Sequence, residues 1–369
     1  MRITKVNTFV LHVPVTRARI HDSMHQVTHW GAPGILIETD SDLQGCGYTG
    51  THAHLPTDRL ITSCIAETYA PLLVGEEIPQ RDELWRKLYH FPPAQWVGRS
   101  GITHLALSAV DIALWDLRAK AAGLPLWKLM GGDRNKRIEA YNTAGGWLNW
   151  SLEELKDYNR CIVETDGFRG VKIKVGSPDP CRDIERVEAV RKVVGPTTKL
   201  MVDANGRWDL ETAVSFGSKL KDYDVYWFEE PLWYDDIPGH AVLTQRISTP
   251  IALGEQLYSL AEFRNFINAQ ALHFVQPDAV RLAGITEWWQ VANLALANHL
   301  PVVPHIGDMM QVHLHLALAH RSTTVLEYIP WLRECFAEPA TVKDGCFTVP
   351  ESAGAGTTLS PKALKKYAV

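Results

Sequence analysis

The 369-residue sequence has no C-x-x-C pair, no long uninterrupted apolar run and no large excess of charge of either sign. Without roughly 18 consecutive apolar residues, nothing in it reads as a membrane span. The segment from Met1 to Leu11 alternates apolar and polar residues, unlike the apolar core and small-residue cleavage site of a signal peptide. The six cysteines (Cys46, Cys64, Cys161, Cys181, Cys335 and Cys346) are scattered. A chain of this size needs no disulfide staples, so they are expected to be reduced thiols in a cytoplasmic protein. With 37 Lys and Arg against 42 Asp and Glu, the net charge of −5 offers nothing to a nucleic acid. Hydrophobic residues make up 46%, which excludes extended disorder.

The pattern along the chain divides it. Strand-like runs at Ile3–Val13, Gly34–Glu38 and Gly45–Tyr48 precede helical patterns at Thr57–Leu73 and Gln80–Tyr89. A long helix follows from about Gly101 to Ala122, its face set by Leu105, Ala109, Ile112, Ala113 and Leu117, and ended by Gly123 and Pro125. The loop Gly131–Arg137 marks a boundary. Beyond it, short apolar strands alternate with amphipathic stretches such as Asp183–Val194, Leu210–Leu220 and Thr286–Asn298. The expected strands are Glu139–Thr143, Gly170–Lys174, Lys199–Val202, Val225–Phe228, Pro250–Leu253, Phe274–Gln276, Pro301–Val303 and Val325–Glu327. Eight strands with seven intervening helices predict a parallel α/β barrel. A doubly wound sheet is the weaker alternative, because no G-x-G-x-x-G follows a strand. The expected organisation is an α+β capping domain over 1–130, a barrel over 131–330, and a tail over 331–369 that packs back on the cap.

Barrel active sites form at the C-terminal ends of strands, where rigid posts meet variable loops. Polar residues at those ends are Lys172, Lys174, Asp203, Asn205, Glu229, Glu230, Glu255, Asp278, His305 and Glu327. Asp203, Glu229 and Glu255 stand 26 residues apart in succession, one strand–helix unit each. Three converging carboxylates repel unless a cation sits among them, and an all-oxygen set suits Mg²⁺ before Mn²⁺ or Ca²⁺. Any one of them alone would as readily be a helix cap. Lys172 and Lys174 lie two apart on one strand and share a face. That face is the mouth, since a lysine toward the helices would be a buried unpaired charge. Two adjacent cations beside a metal are expected to depress each other's pKa, leaving one able to act as a base. His305 follows Pro-Val-Val-Pro and Asp278 follows Val-Gln-Pro one unit earlier, so the pair reads as an orienting dyad.

Lys172-Ile-Lys174, Asp203-Ala-Asn205, Phe228-Glu-Glu-Pro231, Gly254-Glu255, Gln276-Pro-Asp278, Pro304-His305 and Glu327 follow one another in order over nearly the whole chain. In this the sequence resembles the enolase superfamily, specifically its mandelate racemase subgroup. The resemblance implies an α+β cap on a modified (β/α)7β barrel of the TIM type. It implies Mg²⁺ on Asp203, Glu229 and Glu255, and Lys174 and His305 as bases on opposite faces of the substrate, with Asp278 orienting His305. It also implies that Lys172 and Glu327 contact the substrate carboxylate and Asn205 its α-hydroxyl. A two-lysine cycloisomerase or epimerase of the superfamily would carry a lysine where Asp278 stands.

Specificity is expected from two cap loops, His21–Trp30 and Tyr48–His54, with His25, Trp30 and His52 as substrate contacts. Their histidines (21, 25, 29, 52 and 54) lack structural-zinc spacing. Hydroxyls and imidazoles suit a polyhydroxylated acid rather than an aromatic one. Arg17 and Arg19 are candidates for a second carboxylate. The expected activity is dehydration of an acid sugar, aldonate or aldarate, to a 2-keto-3-deoxy acid through an enediolate. The alternative is a racemase or epimerase of a 2-hydroxy acid using Lys174 and His305 as two bases. A non-catalytic relative is disfavoured, because no ligand or base is missing. The expected partners are a small hydroxy acid and further copies of the chain, without nucleic acid or membrane.

Overall fold

The computed structural model describes residues 1–15, 19–79, 82–306 and 310–369. Three antiparallel strands, Ile3–Pro14, His29–Thr39 and Gln44–Tyr48, form the cap sheet. Helix Ile102–Ala121 lies directly on it, and most of its residues are buried. Gly47 permits this approach, because a Cβ there would run into the Ala109 carbonyl. The expected helix over Thr57–Leu73 is instead three pieces, Leu55–Ser63, a wider π-helical stretch Cys64–Tyr69, and Ala70–Leu73. Pro71 lacks the N–H that a regular α-helix would need at that position. The next helix spans Glu83–Tyr89, and the start expected at Gln80 lies outside the described residues. Two short helices, Pro92–Val97 and Leu126–Leu129, were not foreseen in the pattern.

From Glu139 the strands pair in parallel: Glu139–Asn142, Gly170–Lys174, Lys199–Asp203, Val225–Glu229, Ile251–Leu253 and Phe274–Val275, with Val325–Tyr328 against the first. Seven helices intervene among the described residues. The strand expected at Pro301–Val303 is reduced to one bridge, Val302 to Val275. Pro301 and Pro304 have no N–H to extend a ladder there. No helix of the described residues is long and apolar enough to cross a membrane.

The barrel interior explains why the charged groups stand where they do. Tyr141, Met201, Trp227, Ala252, Val303 and Val325 pack as one buried cluster. Side chains two apart on a strand share a face. Thr143, Asp203, Glu229, His305 and Glu327 therefore rise one layer above that apolar plug. Glu255 breaks the parity, standing three residues after Ala252. Gly254 turns the chain with φ +149°, and a Cβ there would lie 2.6 Å from the Gln276 carbonyl oxygen.

Cap and barrel are joined at the segment just after Asp278. Thr49 and Ser108 hydroxyls donate to the Val280 carbonyl at 2.9 and 3.0 Å, and the Trp85 indole donates to Ala283 at 2.7 Å. Asp111, on the long cap helix, accepts from Thr286 N and Oγ1 at 2.8 and 2.9 Å. The tail binds both parts. Cys346–Phe347 pairs with Glu139, while Ala355 N and Thr357 Oγ1 bond Asp116 and the Cys46 carbonyl.

Candidate active site

Asp203, Glu229 and Glu255 come from three successive strands, and one oxygen of each lies within 4.8 Å of the others. Each side chain is held. Glu229 accepts from Lys172 at 2.6 Å, from the Trp227 indole at 2.9 Å and from Gln276 Nε2 at 2.8 Å. Asp203 Oδ2 accepts from Lys174 at 2.5 Å, and its Oδ1 accepts from Asn205 N at 2.9 Å. Lys174 also donates to Asn205 Oδ1 at 3.0 Å and lies over the Trp147 ring. Glu255 Oε2 lies 3.0 Å from His305 Nε2, and Asp278 Oδ2 lies 2.8 Å from His305 Nδ1. Lys172 reaches Glu327 at 3.0 Å, and Thr143 donates to the same oxygen at 2.5 Å. Lys174 thus stands at the Asp203 end of the triad and His305 at the Glu255 end.

The electrostatics follow from counting buried charges. Five carboxylates (Asp203, Glu229, Glu255, Asp278 and Glu327) face three cations, Lys172, Lys174 and His305. With Arg281 also close to Glu255 and Asp278, negative charge remains in excess, and a divalent ion at the triad would offset it. Burial pushes Glu229 up to about 7, more than Lys172 offsets. Burial and the neighbouring carboxylates push Glu230 well above the usual carboxylate range. Burial opposes the charge on Lys172 and Lys174, yet facing carboxylates hold both above the ordinary lysine value. Lys172 does depress Lys174, as the pairing leads one to expect, but the facing carboxylates outweigh it. Burial likewise opposes the charge on His305, but Glu255 and Asp278 hold the imidazolium well above its ordinary value. Asp278, despite burial, is held below the carboxylate range by bonding to His305.

The cap closes over this mouth. A cavity of about 60 Å³ lies between them, and its lining includes Lys172, Lys174, Asn205, Glu255, His305 and Glu327. From the cap come His25, Trp30 and His52, as the sequence suggested. Ser23 Oγ donates to the Ala204 carbonyl at 2.6 Å, latching the first loop to the barrel. His21 and His29 are not in the lining, and His54 stands at the start of helix Leu55–Ser63. Arg19 is exposed and outside the lining, and Arg17 lies outside the described residues.

The lining is less polar than expected. Ile20, Val27, Trp30, Trp147, Ile329 and Trp331 form one wall, with the Trp331 ring 5.5 Å from both Trp30 and Trp147. Apolar residues in loops read as core, so Trp147, Ile329 and Trp331 carried no signal. They do follow the first and last barrel strands, where the post argument would have placed them. Trp30 and Trp331 each keep a buried indole N–H without a hydrogen-bond partner. Asp22, Gln256 and Arg281 also line the cavity and were not anticipated.

Known proteins are similar to this chain in sequence and fold. A family model described as "Enolase C-terminal domain-like" matches residues 154–363. One described as "Mandelate racemase / muconate lactonizing enzyme, N-terminal domain" matches residues 5–131. An L-talarate/galactarate dehydratase of Salmonella typhimurium is 42% identical over 300 residues, covering 81% of this chain and 74% of that one. A 3,6-anhydro-alpha-L-galactonate cycloisomerase of Streptomyces coelicolor is 34% identical over 370 residues, covering 100% of this chain and 99% of that one. The solved structure of the Salmonella dehydratase liganded with Mg and L-lyxarohydroxamate matches with a TM-score of 0.92 at 36% identity. It covers 100% of this chain and 93% of that one. With both family models matched and the barrel-mouth groups assembled on a capped barrel, the chain belongs to the enolase superfamily, in its mandelate racemase subgroup.

Proposed function

We propose that the protein is a Mg²⁺-dependent hydro-lyase that dehydrates an acid sugar to a 2-keto-3-deoxy acid. The observation that carries this is the buried triad Asp203, Glu229 and Glu255 with Lys174 at one end and the His305–Asp278 dyad at the other. Mg²⁺ held by the triad would polarise the substrate carboxylate and stabilise negative charge that develops on it. The proton α to a carboxylate is very weakly acidic, so its removal needs that stabilisation before any base can act. Lys172, paired with Glu229 and Glu327, is a fixed ammonium beside the same position. Lys174 is the base in this reading and must first give up its proton. His305, an imidazolium between two carboxylates, donates a proton to the departing β-hydroxyl, so that water leaves and the enol tautomerises to the keto acid. Asn205, bonded to Lys174, is placed for the α-hydroxyl.

The names of similar proteins support the substrate class: besides the L-talarate/galactarate dehydratase, an arabinonate dehydratase of Saccharolobus solfataricus is 33% identical over 317 residues. In this reading 1–130 caps, 131–330 catalyses and 331–369 returns to the cap, in a cytoplasmic homo-oligomer. The test is a screen of aldonates and aldarates with purified protein, scoring 2-keto acid release with Mg²⁺ and after chelation. Release that stops on chelation and returns with Mg²⁺ supports the reading. Cyclisation or epimerisation without any keto acid would replace it.

A further inference from the structure

The turn that carries Asp278 is tied down group by group. The Pro277 carbonyl accepts from the Trp288 indole at 2.9 Å, and the Asp278 carbonyl accepts from Arg281 N and Leu282 N at 3.1 and 3.0 Å. Val280 N donates to Asp278 Oδ1 at 2.9 Å. Between them, Ala279 N–H is met by a side chain from another element, Nε2 of His313, at 3.0 Å. His313 stands on helix Met310–Ala319, which follows His305 in the chain, and it is as fully buried as Asp278 and Ala279. Its Nε2 also lies 3.2 Å from Asp278 Oδ1. A backbone N–H cannot reverse its polarity, so Nε2 is the acceptor and the ring carries its proton on Nδ1. With no proton on Nε2, His313 does not draw the Asp278 carboxylate away from His305.

We propose that His313 is a positioning residue for the proton-donating step: it holds the Asp278 turn in register with His305. The inference rests on the dehydratase reading and deepens it. The two histidines belong to one segment of chain and grip one turn. His305 does so through the Asp278 side chain at 2.8 Å, and His313 through the backbone one residue further on. Asp278 and His305 are thereby closed into a ring of contacts, in which a shift of either breaks a buried bond. Removing the acceptor on His313 leaves Ala279 N–H buried and unpaired, which favours a rotation of the turn that carries Oδ2 with it. A misplacement of about 1 Å among reacting groups costs on the order of 10²-fold in rate.

The experiment compares His313→Leu, which keeps bulk and removes the acceptor, with His313→Gln, which returns an amide oxygen near the Nε2 position. With Mg²⁺ and an acid sugar that wild type dehydrates, His313→Leu should lower kcat by about 10- to 10²-fold while KM changes less than about threefold. His313→Gln should recover most of that loss. The deciding readout is the ratio of deuterium incorporated at the α-carbon to keto acid released in heavy water. It should rise at least about tenfold in His313→Leu, because Lys174 still removes the α-proton while the donor to the departing hydroxyl is misplaced. A merely structural role would lower exchange and release together. An unmoved ratio therefore overturns the proposal and leaves the dehydratase reading intact, and so does wild-type kcat in His313→Leu. If His313→Leu does not fold, His313→Asn, too short to reach Ala279, takes its place under the same criteria. A readout without turnover is the low-field proton resonance of the His305–Asp278 hydrogen bond, assigned by its loss in His305→Asn. It should shift or vanish in His313→Leu and return in His313→Gln, and a resonance unmoved in His313→Leu refutes the positioning role whatever the enzyme turns over.

Discussion

Asp278→Asn should remove most of the turnover and leave the metal site nearly untouched. The two oxygens of Asp278 have different partners. Oδ1 accepts from Val280 N at 2.9 Å, and Oδ2 faces His305 Nδ1 at 2.8 Å. A backbone N–H cannot reverse its polarity, so the asparagine carbonyl oxygen must take the Oδ1 position and its amino group must face the imidazole. Nδ1 then has to accept, and the ring proton moves to Nε2, which faces Glu255 at 3.0 Å. His305 becomes a neutral ring in the opposite tautomer, with its one proton already committed to Glu255. Loss of a positioned proton donor costs roughly 10²–10⁴-fold in rate, or about 3–5 kcal/mol of barrier. The assay pairs kcat for keto-acid release with calorimetric Mg²⁺ titration. The structure calls for a kcat loss of about 10²-fold or more with Mg²⁺ affinity changed little, because all three ligands remain. Wild-type turnover would refute the dyad, and a parallel loss of metal affinity would mean that Asp278 acts by holding Glu255 in place.

Three further outcomes follow from named contacts. Gly254→Ala puts a Cβ 2.6 Å from the Gln276 carbonyl at a φ of +149°, so Glu255 should move and Mg²⁺ affinity should fall at least about tenfold, as read by calorimetry. Unchanged affinity would show that Glu255 does not depend on this turn. Lys172→Met leaves Glu229 and Glu327 without their shared ammonium and should destabilise the fold by about 3–5 kcal/mol, visible in thermal melts without added metal. A melt like that of wild type would argue that these carboxylates are protonated instead. Burial pushes Asp111 from an ordinary 3.8 up to about 7, against its bonds from Thr286. The folded chain therefore holds that proton more tightly than the unfolded chain. Its contribution to stability is greatest below about pH 4 and is lost as pH rises toward 7, by up to ~4 kcal/mol. In Asp111→Asn the amide can serve both Thr286 groups, so this slope should vanish, and melts of both proteins that run parallel from pH 5 to 8 would contradict it.

The barrel and its ring of polar posts were legible because two periodicities coincide. Strand–helix units recur along the chain, and each charged residue falls just past an apolar run. That coincidence located Asp203, Glu229, Lys172, Lys174 and Glu327 without any knowledge of contacts. Glu255 was found by its spacing, although its inward aim depends on the turn at Gly254, which spacing does not reveal. The strand at Pro301–Val303 was overcalled, since apolar residues next to prolines look extended but cannot sustain a ladder. The cap loops were read by residue type alone. That picked out His25, Trp30 and His52, which line the cavity, whereas His21, His29 and His54 do not. The tryptophan wall stayed hidden, because aromatic residues in loops carry no sign of which cavity they face. Arg281 lay in plain view within Gln-Pro-Asp-Ala-Val-Arg, but its burial beside Glu255 and His52 is a property of the folded turn. The balance of charge around the lysines was hidden for a similar reason: sequence lists the neighbours without saying how many carboxylates surround each ammonium.

The central claim is that Lys174 removes the α-proton and His305 completes the elimination, and hydrogen exchange in heavy water separates the two steps. With Mg²⁺ and an acid sugar that wild-type enzyme dehydrates, His305→Asn should incorporate deuterium at the α-carbon while releasing little keto acid. Lys174→Ala should show neither exchange nor product from the same stereoisomer. Exchange that survives in Lys174→Ala and disappears in His305→Asn would contradict the assignment of the base.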